Sequence, residues 1–394
     1  MKINLSIFFL GTMILFSGFK EMEFSRRAVI KNRLQFERTE VVAINLKSKA
    51  FSKVNNFDEL FVKDEKGKLL VTQLIDNDQN GSADELLFQV TIPALSEVSY
   101  TIFTDPSASL KKTEPALKTY ARFVPERIDD FAWENDKVAF RTYGPEAQRL
   151  VDEKKAGGTL SSGIDIWLKK VDYSVIDSWY AKNVKEPGYY HIEHGEGYDP
   201  YHVGYSRGNG GTGIWEKDSL YTSKNFQQYK TITNGPLRSI FELEYPSWSK
   251  YGVKEVKRIS LDLGSNFSRF ESKISSHMKI PNYTIGITLH DQKGKITLNA
   301  KNGIFRHWEP IDDSYVGEGI ILDPKTVKKA FDHRSKALDQ SQILIVTAPK
   351  NNIAVYYAGF AWTKSGQVQS VEDWDALLKK QAAMIQNPLI IKIQ

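Results

Sequence analysis

Alternation with a period of two runs through most of this chain and limits its fold more than any other feature. Leu86, Phe88, Val90 and Ile92 alternate with other residues, as do Val98, Tyr100 and Ile102. Phe241, Leu243 and Tyr245 repeat the pattern, with Glu242 and Glu244 on the opposite phase. Ile259, Leu261 and Leu263 continue it, and so do Tyr283, Ile285, Ile287 and Leu289. Successive side chains of a strand point to opposite faces, so each run sets one face on a core and the other on solvent or a cleft. The run 353–362 is apolar on both phases, which suits a central buried strand. Asn80-Gly81, Gly264-Ser265-Asn266 and Lys293-Gly294 supply turns between runs. Helix is scarce. One candidate has Ser370 as N-cap, Asp373 three residues on, and Val371, Trp374, Leu378 and Ile385 on one face, before Asn387-Pro388 ends it. Many strands with few helices predict a mainly β protein of stacked antiparallel sheets.

Composition narrows the function classes. The 394 residues contain no cysteine, which excludes disulfides, a thiolate metal site and a thiol nucleophile. A net charge of +5 over this length is too dilute to argue for nucleic acid. Residues 1–18 begin Met1-Lys2 and continue as an apolar run of signal-peptide length, short for a membrane span. Phe19 stands where a lipoprotein would need cysteine, so the expectation is a periplasmic protein that is not a lipoprotein and is free of the membrane after cleavage. A polar stretch from Pro106 to Lys118 predicts a linker between a small N-terminal β unit, 24–105, and a large β-sandwich, 116–394.

Three segments carry chemistry. Asp76, Asp78, Asn80 and Asp84 place oxygens at alternate positions around Gly81, either as a polar hairpin turn or as the first half of a structural calcium loop. Leu87 falls where such a loop needs its bidentate glutamate. Gly208, Gly210 and Gly213 match G-x-G-x-x-G, but the following residues read as a strand and not as the helix a dinucleotide fold requires. The densest segment runs from Tyr189 to Arg207. It holds His191, His194 and His202, three of the seven histidines, beside Tyr190, Glu193, Glu196, Asp199, Tyr201 and Arg207. Polar, aromatic, glycine-rich loops on a rigid β scaffold are where sites usually sit. Arg127, Asp130, Trp133 and Arg141 could join it, since aromatic faces beside charged groups suit sugar rings. Trp215 is a further aromatic candidate.

The segment 131–145 (Phe-Ala-Trp-Glu-Asn-Asp-Lys-Val-Ala-Phe-Arg-Thr-Tyr-Gly-Pro), the segment 163–169 (Gly-Ile-Asp-Ile-Trp-Leu-Lys), the 190–211 loop and Asn234-Gly-Pro-Leu-Arg238 resemble an exported family of polysaccharide-degrading bacteria. That family, long catalogued as of unknown function, includes a dehydratase acting on ulvan oligosaccharides. The resemblance covers nearly the whole mature chain. It implies a carbohydrate-active antiparallel β-sandwich, a supersandwich like that of galactose mutarotases, with an acidic oligosaccharide as partner.

The implied reaction removes water from the non-reducing-end uronic acid and leaves a 4,5-unsaturated sugar. A cation must neutralise the sugar carboxylate, a base must take the C5 proton, and an acid must protonate the departing C4 hydroxyl. Arg207 is the first choice for the carboxylate, with Arg127 and Arg141 behind it. His191 and His202, with Tyr190 or Tyr201, suit the proton transfers. Trp133, His194 and Trp215 are expected to contact the sugar. In a second version His191, His194 and His202 hold a divalent metal that polarises the carboxylate. A lyase would use the same groups. A glycoside hydrolase would pair Glu193 or Glu196 with Asp130, and a glycan-binding protein would use the aromatics alone. The expected assembly is a monomer or homodimer.

Overall fold

The computed structural model describes residues 24–105, 109–337 and 339–394. The signal segment 1–18 lies outside them. Among the described residues no helix is long and apolar enough to cross a membrane.

The alternating runs become strands of an antiparallel, mainly β architecture. The first unit stacks two sheets. One is four-stranded, in the order Ile390–Ile393, Ser25–Lys31, Glu97–Thr104, Leu60–Lys63; the other is three-stranded, in the order Arg38–Asn45, Glu85–Ile92, Thr72–Ile75. Leu86, Phe88, Val90 and Ile92 face the core between them. Leu87, on the opposite phase, packs with Leu237 and Ile240 of the larger body, so this strand is buried on both sides. The chain's last strand returns to this unit, with Ile393 opposite Ala28. The stretch 116–394 therefore contributes to both cores.

The larger body sets an eight-stranded sheet against two five-stranded sheets. The large sheet runs Gln228–Asn234, Arg238–Trp248, Val253–Asp262, Phe267–Ser275, Ile353–Trp362, Ser314–Leu322, Ile304–Ile311, Lys295–Asn299. One smaller sheet runs Gly197–Tyr198, Asp165–Lys169, Ala139–Thr142, Asp130–Glu134, Tyr120–Val124. The other runs Ser219–Tyr221, Asn209–Glu216, Tyr283–Thr288, Gln342–Thr347, Val327–His333. A single apolar core lies between them. The run 353–362 is apolar on both phases because Ala354, Tyr356, Ala358, Phe360 and Trp362 face that core, while Tyr357 and Ala361 lie under a helix on the outer face.

Among the described residues three α-helices flank the sheets: α1 (Pro145–Asp152), α2 (Ile176–Lys185) and α3 (Val371–Gln386). The third is the helix that its caps predict. Ser370 Oγ accepts from Asp373 N at 3.2 Å and Asp373 Oδ2 accepts from Ser370 N at 3.1 Å, a reciprocal capping box. Its Trp374, Leu378 and Ala382 are buried against the large sheet. The second has no local cap to read. Its N-terminal amides, Val175 N and Ile176 N, donate to the Glu134 carboxylate, 2.9 and 3.0 Å away, from a strand far back in the sequence. The glycine motif lies at the start of Asn209–Glu216, a strand as its sequence predicts. Gly210 has φ of +108°, and a Cβ there would fall 2.7 Å from Ala358 Cβ.

Candidate functional site

Strand phase buries charge on one face of the smaller sheet that ends in Gly197–Tyr198. Phe131, Trp133, Phe140, Ile166 and Leu168 face the sandwich core. The alternate positions Asp130, Glu134, Arg141, Asp165 and Lys169 point to the outer face, yet all are buried. They are covered because Ile176, Trp179 and Tyr180 of α2, with Tyr190 beyond it, pack over Ala132, Ala139 and Trp167. Glu134 and Lys169 pair at 2.8 Å beneath this cover and anchor the start of α2.

Arg141 organises the rest. Its Nη2 lies 2.7 Å from Asp165 Oδ2 and 2.6 Å from Asp199 Oδ2, with Asp130 Oδ2 3.6 Å from Nη1. The register makes Arg141 the cross-strand partner of Asp165. Its guanidinium also lies over Tyr143, Trp167 and Tyr190, 5.2 to 5.3 Å from each ring centre. Three buried carboxylates thus surround one buried guanidinium. Burial pushes the Asp130 carboxyl up to about 6. Burial, together with the neighbouring Asp165 charge, pushes Asp199 well above the ordinary carboxylate value.

At the outer edge of this cluster Tyr190 is 2% exposed, Arg127 is partly buried and His191 reaches solvent. Pro125–Arg127 and Tyr189–His191 are short turns that deliver their last residues to this edge. Tyr190 OH accepts from Arg127 Nε at 3.2 Å and from Arg141 Nη1 at 3.1 Å. Arg127 Nη1 is buried and has no hydrogen-bond partner. The His191 side chain is 48% exposed, and its Nδ1 lies 2.9 Å from the Asp199 backbone oxygen and 3.5 Å from Asp199 Oδ2. Donation to that carbonyl places the ring proton on Nδ1 and leaves Nε2 as the free basic nitrogen. Burial holds the His191 pKa below its ordinary value, which keeps the ring neutral at pH 7.

The structure therefore brings together Arg127, Arg141, Tyr190 and His191, and it separates the other expected residues from them. Arg207 is 1% exposed in the sandwich interior, where Nη1 donates to Ser162 Oγ and the Thr212 carbonyl, so it is not placed to clamp a sugar carboxylate. Burial pulls its pKa down to about 10. Trp133 is wholly buried, stacked on Phe140 and bonded to Ser268 Oγ, and offers no face to a sugar. Trp215 packs on Phe331 and His333 in another sheet. His202 is exposed and sits 3.1 Å from Asp339, away from the arginines. His194 stacks on Tyr189 at the surface. His191, His194 and His202 thus have three different neighbours and do not form one of the histidine–carboxylate groups within reach of a common ion. The hydrolase pair also fails, because Asp130 is wholly buried behind Tyr180 and Arg141.

Asp76, Asp78 and Asp84 do gather. Lys47 pairs with Asp84 and lies 3.5 Å from Asp78, while Asp76 accepts from Asn80 N and Gly81 N at 3.1 and 2.7 Å. An ammonium and backbone amides already serve the carboxylates of this hairpin turn.

Tyr201 leads to a second cluster that the sequence reading missed. Its hydroxyl donates to Glu309 Oε1 at 2.7 Å and its ring stacks on His290 with centroids 4.1 Å apart. His307 and Glu318 complete the group, 2.9 Å apart on paired strands. One signal was available. His307 and Glu309 continue the phase of Phe305, where a core strand would carry apolar side chains.

Two buried polar clusters, joined by the loop 198–207, lie beside a sandwich of one large and two smaller antiparallel sheets. This is the architecture of a large antiparallel β-sandwich protein. A crystal structure of a protein in glycosyl hydrolase family 38 from Enterococcus faecalis overlays 94% of the chain with a TM-score of 0.54 and 11% identity. The match takes in 47% of that protein, so the chain spans about half its length, and the likeness is one of fold. Residues 30–391 match the family described as a domain of unknown function, DUF4861, and the chain belongs to that family. It is similar to uncharacterized protein P7 of Formosa agariphila, with 42% identity over 402 residues covering all of both chains.

Proposed function

We propose that this chain is an exported, carbohydrate-active dehydratase that removes water from the non-reducing-end uronic acid of ulvan-type oligosaccharides. The observation that carries the reading is Tyr190 held between two guanidiniums directly beside a half-exposed, neutral His191. Elimination next to a carboxylate needs a counter-charge, a base and an acid, and this edge supplies one of each. Arg127, partly buried beside Tyr190, faces the sugar carboxylate and makes the C5 hydrogen acidic. His191 Nε2 takes that proton as the C5–H bond breaks. Tyr190 gives its proton to the C4 hydroxyl as the C4–O bond breaks, the C4–C5 double bond forms and water leaves. Charge developing on the tyrosine oxygen is met by Arg127 and Arg141, which already point at it.

The test is mass spectrometry with ultraviolet absorbance on uronic-acid oligosaccharides. Loss of one water without shortening is the expected result. Shortening with an unsaturated end would make the same groups a lyase, and shortening with gain of water would make the protein a hydrolase. Binding without any change would leave a glycan-binding module.

A further inference from the structure

We propose that His290, His307 and Glu309 form a binding site for a first-row divalent cation, zinc(II) by donor type, with Glu318 orienting His307. The inference does not rest on the dehydration reaction. His307, Glu309 and Glu318 are all nearly inaccessible, on strand phases that point into the sandwich. Their recorded ion pairs are with His290 and His307, and among the described residues neither carboxylate pairs with lysine or arginine. Glu309 also accepts from the neutral Tyr201 hydroxyl, so two buried acids have no cation beyond imidazole; that burial is costly, and a divalent cation supplies the missing charge.

The donors already face one another. One ligand atom from each of the four residues lies within 4.8 Å of all the others. Ligands about 2.0–2.1 Å from a tetrahedral ion lie roughly 3.4 Å apart, so shifts of about 1.5 Å or less would set the donors around one ion. Glu318 Oε2 is 2.9 Å from His307 Nδ1, which leaves Nε2 as the donor; that nitrogen is buried, has no hydrogen-bond partner and sits 3.8 Å from Glu309 Oε2. A carboxylate on the far nitrogen is the usual device for aiming a metal-binding histidine. On the other side of the same carboxylate, His290 Nδ1 lies 2.7 Å from Oε1 without an aligned hydrogen bond. Gly294 keeps the space beside His307 clear, since a Cβ there would fall 2.1 Å from Nε2. Two imidazoles favour zinc over calcium or magnesium, which take oxygen ligands. Three protein donors leave a fourth position open. The His290 side, 19% exposed, is where water or a ligand oxygen would enter.

The experiment uses the purified full chain, stripped with a chelator, loaded with zinc chloride and desalted. Elemental analysis should find about one zinc per chain, the count of a single site. Zinc should also raise the melting temperature. His307→Gln and Glu309→Gln should bind zinc at least about tenfold more weakly, while His194→Ala and His202→Ala retain it. Wild-type protein that keeps no zinc would overturn the proposal. So would equal retention by the double variant H307Q/E309Q, or loss of zinc in the surface variants. Should the buried variants fail to fold, the wild-type stoichiometry and melting shift still decide.

Discussion

Arg141 Nη2 lies 2.6 Å from Asp199 Oδ2, and both side chains are almost fully withdrawn from solvent. This pair ties the loop that carries Tyr190 and His191 to a strand of the smaller sheet. The position of the proposed base therefore depends on a charge pair behind it.

Removing either partner should have unequal effects. Arg141→Met leaves Asp165, Asp199 and Asp130 buried without their shared cation and should cost about 3–5 kcal/mol of stability. Asp199→Asn removes one of three carboxylates around a single guanidinium and keeps an oxygen that can accept from Arg141, so it should cost distinctly less. Urea unfolding of the two variants measures the difference. Equal losses would contradict the assignment of Arg141 as the shared counter-charge.

Activity should follow Arg127, whose guanidinium holds the Tyr190 hydroxyl, and not Arg207. His191→Ala should lower turnover of uronic-acid oligosaccharides by about 10²–10⁴-fold. Arg127→Ala should raise KM and lower kcat together. Arg207→Met, in the sandwich interior, should leave turnover per folded molecule unchanged while lowering the melting temperature. A selective loss of activity in the Arg207 variant would return that residue to the site.

The acid limb of kcat/KM reports the base. Burial depresses the His191 pKa, so the ring stays neutral to lower pH than an ordinary histidine. The limb should therefore lie below about 6.5, the reference value for histidine, and vanish in a variant without the imidazole. A limb above that value would rule out His191 as the base.

Stability should carry a signature of Asp130. Its carboxyl is raised from 3.8 to about 6 in the folded state. The folded protein therefore binds the extra proton between those values, and Asp130 makes the fold more stable as pH falls from 6 towards 3.8. That contribution is fully present below the unfolded value and is lost as pH rises through the folded one. Comparing urea midpoints of wild type and Asp130→Asn across this range isolates it, because asparagine has no proton to bind.

The outer face of the large sheet offers a purely steric test. A Cβ at Gly317 would fall 2.4 Å from Trp374 Cδ1 of α3. Gly317→Ala should force that helix outward and cost about 1–3 kcal/mol. Thermal unfolding measures the loss.

Much of the fold was legible locally. Period-two runs marked the strands Glu85–Ile92, Arg238–Trp248 and Tyr283–Thr288, and Ser370 with Asp373 marked the start of α3. The second helix escaped because its cap, Glu134, lies on a distant strand. Part of the candidate site was legible too. The loop from Tyr189 to Arg207 stood out by composition, and two of its members, Tyr190 and His191, meet Arg127 and Arg141.

What the sequence determined by itself was phase: which side chains alternate, where chains turn, and that histidines, tyrosines and acids crowd one loop. Only the tertiary structure decided which of them share a space. It sent Arg207 into the interior, spread His191, His194 and His202 to three separate neighbours, and gathered His290 with His307, Glu309 and Glu318 from segments that carry no motif. The reason is geometric. Alternation is written in neighbouring residues, whereas convergence depends on the register of strands and the stacking of sheets whose partners lie far apart along the chain.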